Sequence, residues 1–198
     1  NVLFLHRFQR IDKSHAVFCA SVLSVAFIGK LFKLLRGALQ LNQMKLYNLH
    51  KKQNLPITVD EAWAFLSSPK NLKTITPDYM GFNILSGAES EMFAGQIIQY
   101  IVTPVLGIKT KWVTEITHVR QGYYFVDEQR FGPYALWHHK HFIRPIKGGV
   151  EMEDIIDYKL PFGWIGQLAH PLLVEPKLKE IFDYRQKKLI ELFGEFKS

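Results

Sequence analysis

The sequence predicts an α+β fold: a seven-stranded antiparallel sheet curved around a long C-terminal helix, with two short helices after the first strand. Three observations predict it. Alternating segments recur along most of the chain, separated by glycine turns at Gly87, Gly95, Gly107, Gly122, Gly132-Pro133 and Gly148-Gly149. Near the N-terminal end of this region, Thr58-Val-Asp-Glu61 has the spacing of a capping box. At the C-terminal end, Leu178, Ile181, Phe182, Arg185, Leu189 and Leu192 recur at helical spacing.

The elements follow in order. Leu46–Leu55 is the first strand. Thr58 caps a helix that runs through Ala62, Trp63, Phe65 and Leu66 to about Ser67, where Ser68-Pro69 stops it and opens a second short helix over 69–74. Strands are expected at about 80–86, 96–103, 108–119, 122–130, 134–145 and 150–160. The closing helix spans about Trp164 to Phe193, with breaks expected near Pro171 and Pro176. Hairpin-length loops between consecutive strands imply antiparallel pairing, and a helix with one apolar face needs a sheet to pack on. This order describes a helix-grip arrangement, with a cavity between sheet and helix.

Side chains on a strand alternate faces, so parity sorts each strand into two sets. Lys111, Glu115, Glu128, Arg130, His138, Lys140, Glu151, Glu153, Asp157 and Lys159 fall on one face, which reads as the solvent face. The other set is Trp112, Thr114 and Ile116; Phe125, Asp127 and Gln129; Trp137, His139, His141 and Ile143; Met152, Asp154, Ile156 and Tyr158. This inward face is aromatic but carries acids, an amide and two imidazoles. Such groups are expensive to bury unless they meet partners, water or a ligand. Trp112, Thr114, Phe125, Asp127, Gln129, Trp137, His139, His141, Met152, Asp154 and Tyr158 are therefore the expected ligand-contacting residues. Tyr79 and Met80, in the loop Thr76–Gly81, are expected beside the opening.

The polar cluster Asp127, His139, His141 and Asp154 supports three readings. It is a buried network that fixes strand register, it orients the polar head of a ligand, or it carries acid–base chemistry. His-x-His on a strand is also a spacing used by metal sites, and Asp127 or Asp154 would be a third ligand. No metal and no cofactor is assigned on this pattern alone. Asp183 and Arg185 read as an ion pair, Leu160–Gly163 as the end of the last strand, and His170-Pro171 as a kink.

The chain has 198 residues and a net charge of +7. Residues 1–43 hold Arg7, Arg10, Lys13, Lys30, Lys33 and Arg36 against Asp12 alone, so most of that surplus lies before Met44. The body from 44 to 198 is nearly balanced and shows no basic stripe with interleaved aromatics, so no nucleic-acid partner is expected. Residues 1–43 thus read as a leader ahead of a single domain, 44–198. Its apolar run, Ala16–Ile28, is shorter than a membrane span of ~20 residues, and no clean cleavage site follows it. The leader is either not native to the mature protein or a membrane-surface segment touching lipid through 16–39. One cysteine, Cys19, leaves no internal disulfide framework, which is compatible with a cytoplasmic, optionally membrane-associated, protein.

Several segments carry a family resemblance. They are Asn71–Pro77, Phe125–Gln129, Gly132–Tyr134, Trp137–His141, Tyr158–Gly163 and Ile181–Arg185. Across roughly Leu46–Gly194 the chain resembles the START-like/SRPBCC superfamily, in particular its bacterial ligand-binding, polyketide-cyclase-like branch, distant kin of coenzyme-Q-binding START proteins. The resemblance implies a helix-grip fold and an internal cavity for a small hydrophobic ligand: a lipid, an isoprenoid quinone or an aromatic polyketide-like molecule. Binding or transport is the leading expectation. A cyclase, isomerase or hydrolase using His139, His141, Asp127 or Asp154 is the alternative.

Overall fold

The computed structural model describes residues 45–103 and 107–197, all within the second of the chain's two units, Met44–Ser198. The leader and the membrane contact expected through 16–39 lie outside the described residues. Seven strands form one antiparallel sheet: β1 (Tyr47–Leu55), β2 (Asn83–Ser86), β3 (Gln96–Val102), β4 (Thr110–Arg120), β5 (Tyr124–Phe131), β6 (Leu136–Ile146) and β7 (Gly149–Lys159). Their order is β1-β7-β6-β5-β4-β3-β2, so β2 to β7 form a meander and β1 adds beside the last strand. Two register shifts in the β4–β5 pair, at Val113/Thr114 and Ile116/His118, insert extra residues and bend the sheet.

Between β1 and β2 lie α1 (Val59–Leu66) and α2 (Pro69–Leu72). The capping box of α1 is complete: Glu61 N–H donates to Thr58 Oγ1 at 3.2 Å, and Thr58 N–H donates to Glu61 Oε2 at 2.8 Å. The second helix is shorter than the spacing predicts. Likewise β2 begins at Asn83 rather than near 80, because Asp78–Met80 winds into a 3-10 turn closed by Gly81 at φ 55°. A left-handed residue at that point ends the turn, which glycine does without a Cβ clash.

The closing helix is two helices: α3 (Trp164–Ala169) and α4 (Glu175–Phe193), joined by a π-helical turn over His170–Val174. Pro171 lies in that turn. Pro176, expected to break the helix, instead sits in the first turn of α4, directly after the π-helical turn. Before α3, Phe162 takes φ 64°, which turns its ring outward to 80 % exposure.

One face of α4 presents Leu178, Phe182, Arg185 and Leu189, all buried, to the sheet. The helix lies across β1 and β7, held at its edge by Lys51 Nζ on Asp183 Oδ1 at 2.9 Å and by Gln53 Nε2 donating to the Gln186 carbonyl at 2.9 Å. Two apolar clusters result. Trp112, Trp137, Ile156, Tyr158, Leu178 and Phe182 belong to the first. Leu55, Ala62, Ile143, Val150, Met152 and Leu189 belong to the second. Along β6 and β7 the residues between these clusters are His139, His141 and Asp154, and along α4 the residue between them is Arg185. A charged layer thus separates two dry ones.

On the outer face, Glu153 keeps the side that parity gives it but is only 6 % exposed. Arg144, His50 and Lys52 cover its carboxylate, and Arg144 and His50 outweigh the effect of desolvation to hold it below the usual range. His170 is buried as well. Its ring stacks on Tyr47 at 3.6 Å between centroids and its Nε2 meets Tyr158 Oη at 2.7 Å. Burial pushes the imidazole below its usual 6.5, Glu175 opposes this, and Lys45 adds to it. The unfolded chain therefore takes up this proton first, so the stabilising effect is full above pH 6.5 and is lost as pH falls from there toward the folded value. Denaturant midpoints measured at pH 7 and pH 5 should show this loss, and His170→Gln should reduce the difference between them.

Candidate functional site

A cavity of about 170 Å³ lies between α4, the α1–α2 segment and strands β3 to β6. Of the residues expected to meet a ligand, Trp112, Thr114, Phe125, Asp127, Trp137, His139, His141 and Met80 line it. Its walls are aromatic: Trp112 and Trp137 meet edge to face at 5.5 Å, and Tyr134 packs on both, at 5.7 and 4.8 Å. The Tyr100 hydroxyl is paired to Thr114 Oγ1 at 2.7 Å within that wall.

Five expected residues lie elsewhere. Met152 packs in the second apolar cluster, and Asp154 and Tyr158 lie under α4 and the π turn rather than in the open space. Tyr79 is 48 % exposed, with Lys177 Nζ 3.9 Å above its ring. Gln129 clasps the β5–β6 turn: its Nε2 donates to the Tyr134 carbonyl at 2.7 Å and its Oε1 accepts from Tyr134 N–H at 3.2 Å. A Cβ on Gly132 would come within 2.4 Å of that same Oε1, so the clasp requires glycine there. Gln129 thereby sets the position of Tyr134, a cavity residue that the expected strand over 134–145 would place on the solvent face; β6 begins only at Leu136, so Tyr134 sits in the turn, where strand alternation does not apply.

The charged floor is built by register. Asp127 is opposite His139, His141 is opposite Asp154, and the two histidines are two residues apart on β6. The result is a closed ring of alternating carboxylates and imidazoles. His141 Nε2 lies 2.8 Å from Asp127 Oδ2 and its Nδ1 lies 2.8 Å from Asp154 Oδ1. His139 Nε2 lies 3.1 Å from Asp154 Oδ1, and its Nδ1 lies 3.4 Å from Asp127 Oδ2. The two rings face each other at 3.7 Å.

A neutral imidazole has one donor and one acceptor nitrogen, and a carboxylate only accepts. Both nitrogens of His141 are at hydrogen-bonding distance from carboxylate oxygens, so this ring is best satisfied as imidazolium. Burial alone lowers its pKa, but Asp127 and Asp154 outweigh that and raise it. His139 has one short contact, to Asp154, and a longer one, to Asp127. Burial, with His141 beside it, pushes His139 down to about 4, so it is neutral at pH 7. Burial raises both carboxyls, yet the imidazoles outweigh it: Asp127 is held below its usual range and Asp154 well below.

Arg185 was expected to pair with Asp183 and does not. Asp183 points outward to Lys51, while Arg185 turns in, lines the cavity, and places Nη1 3.8 Å from Asp154 Oδ2. Its guanidinium lies over the Phe182 ring at 4.6 Å, and its buried Nε has no hydrogen-bond partner. The sequence signal for this was present: Arg185 interrupts the apolar stripe Leu178, Phe182, Leu189 on the buried face of α4.

No family model and no curated protein matches this chain. Solved structures do. Protein CV1439 from Chromobacterium violaceum has 14% sequence identity and a TM-score of 0.57, over 75% of this chain and 99% of that one. Protein Ms6760 from Mycobacterium smegmatis has 15% identity and a TM-score of 0.54, over 73% and 89%. Norcoclaurine synthase from Thalictrum flavum, in complex with dopamine and hydroxybenzaldehyde, has 13% identity and a TM-score of 0.51, over 76% and 90%. At such identities the likeness is one of fold. The seven-stranded curved antiparallel sheet and the long C-terminal helix are the Bet v 1-like helix-grip fold.

Proposed function

We propose that the protein binds a small molecule with an apolar, ring-containing body in this cavity, its polar end directed at Asp127, His139 and His141. The observation that carries the reading is a space of about 170 Å³ with aromatic walls and a charged floor. Apolar space of about 150 Å³ is enough for one aromatic ring, and polar groups at one end of such a site fix orientation. The fold of norcoclaurine synthase, which holds dopamine and hydroxybenzaldehyde in its own structure, supports an aromatic occupant. A long lipid or isoprenoid tail needs more room than about 170 Å³. Among the described residues no helix is long and apolar enough to cross a membrane.

Calorimetric titration of the full chain with simple phenols and quinones tests this reading. Saturable one-to-one binding that weakens when the polar group of the probe is removed is expected. Equal binding of polar-ended probes and their hydrocarbon analogues would contradict the orientation.

A second reading, acid–base chemistry on the bound molecule, is favoured by the fact that both imidazoles line the cavity while hydrogen-bonded to carboxylates. Under that reading His139→Ala and His141→Ala each abolish turnover of a bound molecule, a loss far larger than any weakening of its binding.

A further inference from the structure

We propose that Asp127, His139 and His141 form a binding site for one divalent transition-metal ion, of the zinc or ferrous type, at the floor of the cavity. This goes beyond the ligand reading and does not depend on it. One donor atom from each of the three residues lies within 4.8 Å of the others. Asp127 Oδ2 is the shared corner, 2.8 Å from His141 Nε2 and 3.4 Å from His139 Nδ1. Around an ion bonded at ~2.0–2.2 Å, neighbouring donor atoms sit ~3 Å apart, so both measured edges already have the spacing that coordination requires.

The second carboxylate makes the arrangement specific. The nitrogens that face away from this corner, His139 Nε2 and His141 Nδ1, both meet Asp154 Oδ1, at 3.1 and 2.8 Å. A metal-ligating histidine typically donates its other ring N–H to a carboxylate, which fixes the tautomer and aims the free lone pair at the ion. Here one buried carboxylate serves both rings. Asp154 alone can thus satisfy the donors of two neutral imidazoles, and Arg185 supports its other oxygen from α4 at 3.8 Å.

With the protons on that side, the lone pairs of His139 Nδ1 and His141 Nε2 converge on the Asp127 carboxylate, and only a cation between them makes the three compatible.

Placement separates the two carboxylates in the same way. Asp127 and both histidines line the cavity, whereas Asp154 lies behind them under α4. Three protein donors on one side and open space on the other leave coordination positions for water or the polar end of a cavity ligand. Two imidazoles and one carboxylate suit zinc, iron, cobalt or nickel and are a poor match for calcium or magnesium, which take oxygen donors.

The test uses the full chain after treatment with a chelator. Equilibrium dialysis against Zn²⁺ should show one tightly held equivalent. Asp127→Asn and His141→Ala should each weaken it by roughly 100-fold or more, and His118→Ala, on the exposed outer end of β4, should leave it unchanged. The chain titrated with Co²⁺ should develop the intense visible bands of a four- or five-coordinate ion. No retained zinc, or Asp127→Asn retaining as much as the parent, overturns the proposal. Should either variant fail to fold, the cobalt spectrum of the unaltered chain decides: only the weak bands of the hydrated ion overturn it. A protein that binds zinc but no phenol or quinone upholds the metal site and removes the ligand reading. A protein that binds those probes but no metal does the reverse.

Discussion

Replacing Asp154 with alanine is expected to destabilise the protein by about 3–5 kcal/mol, the range for removing one partner of a buried charge pair. Asp154 Oδ1 is hydrogen-bonded to His139 Nε2 and lies 2.8 Å from His141 Nδ1, and its other oxygen faces the Arg185 guanidinium. Its removal leaves two imidazole donors and a buried cation without an acceptor, in a layer flanked above and below by apolar clusters. Arg185 has no reserve: its Nε is already unpartnered. Asp127→Asn should cost less, because that carboxyl borders the cavity and an amide of the same shape can still accept a hydrogen bond. Urea unfolding of the two variants measures the contrast. Equal losses would mean that the two carboxylates do not divide into a supporting and a cavity-facing member.

The second large effect concerns the space itself. Ile98 is 5 % exposed and lines the cavity from β3, on the wall away from the charged ring. Ile98→Trp places an indole into a volume of about 170 Å³ and should abolish binding of ring-containing probes. Because the new side chain fills a void, stability should fall by no more than about 1–3 kcal/mol, the usual range for overpacking. Calorimetry gives the binding and thermal unfolding the stability. Undiminished binding in a folded Ile98→Trp protein would show that the probes sit elsewhere.

Much of this architecture was legible because it depends on local rules. Thr58 and Glu61 cap one another through three residues of sequence, and the alternation from Trp137 to Ile143 sorts faces whatever the tertiary context. The ring of Asp127, His139, His141 and Asp154 was legible for the same reason: parity places all four on one face, and antiparallel pairing brings them into register. Parity gives a face but no depth. It cannot show that α4 covers Asp154, Met152 and Tyr158 while Trp112, Phe125 and His139 border open space. That division depends on where the helix crosses the sheet.

Tyr79 and Gln129 illustrate a second limit. The backbone of the 3-10 turn directs Met80 inward and Tyr79 outward, and the turn after β5 converts Gln129 from a cavity residue into a clasp. Both follow from turn geometry that strand alternation does not encode. Arg185 was visible in the sequence as a charge inside an apolar stripe, but its pairing with Asp183 was inferred from proximity along the chain. Residues two apart on a helix do not face each other. The stripe, taken alone, points Arg185 at the sheet.

If the cavity holds a small, mainly apolar molecule, that molecule should survive gentle purification or load readily. The most direct measurement is native mass spectrometry of the gently purified full chain, followed by analysis of its organic extract and the same analysis of Ile98→Trp. The expected result is a retained or readily loaded ring-containing mass at one per chain, lost in Ile98→Trp. A bare chain that takes up no apolar molecule, or one whose bound mass is unaffected by filling the cavity, would contradict it.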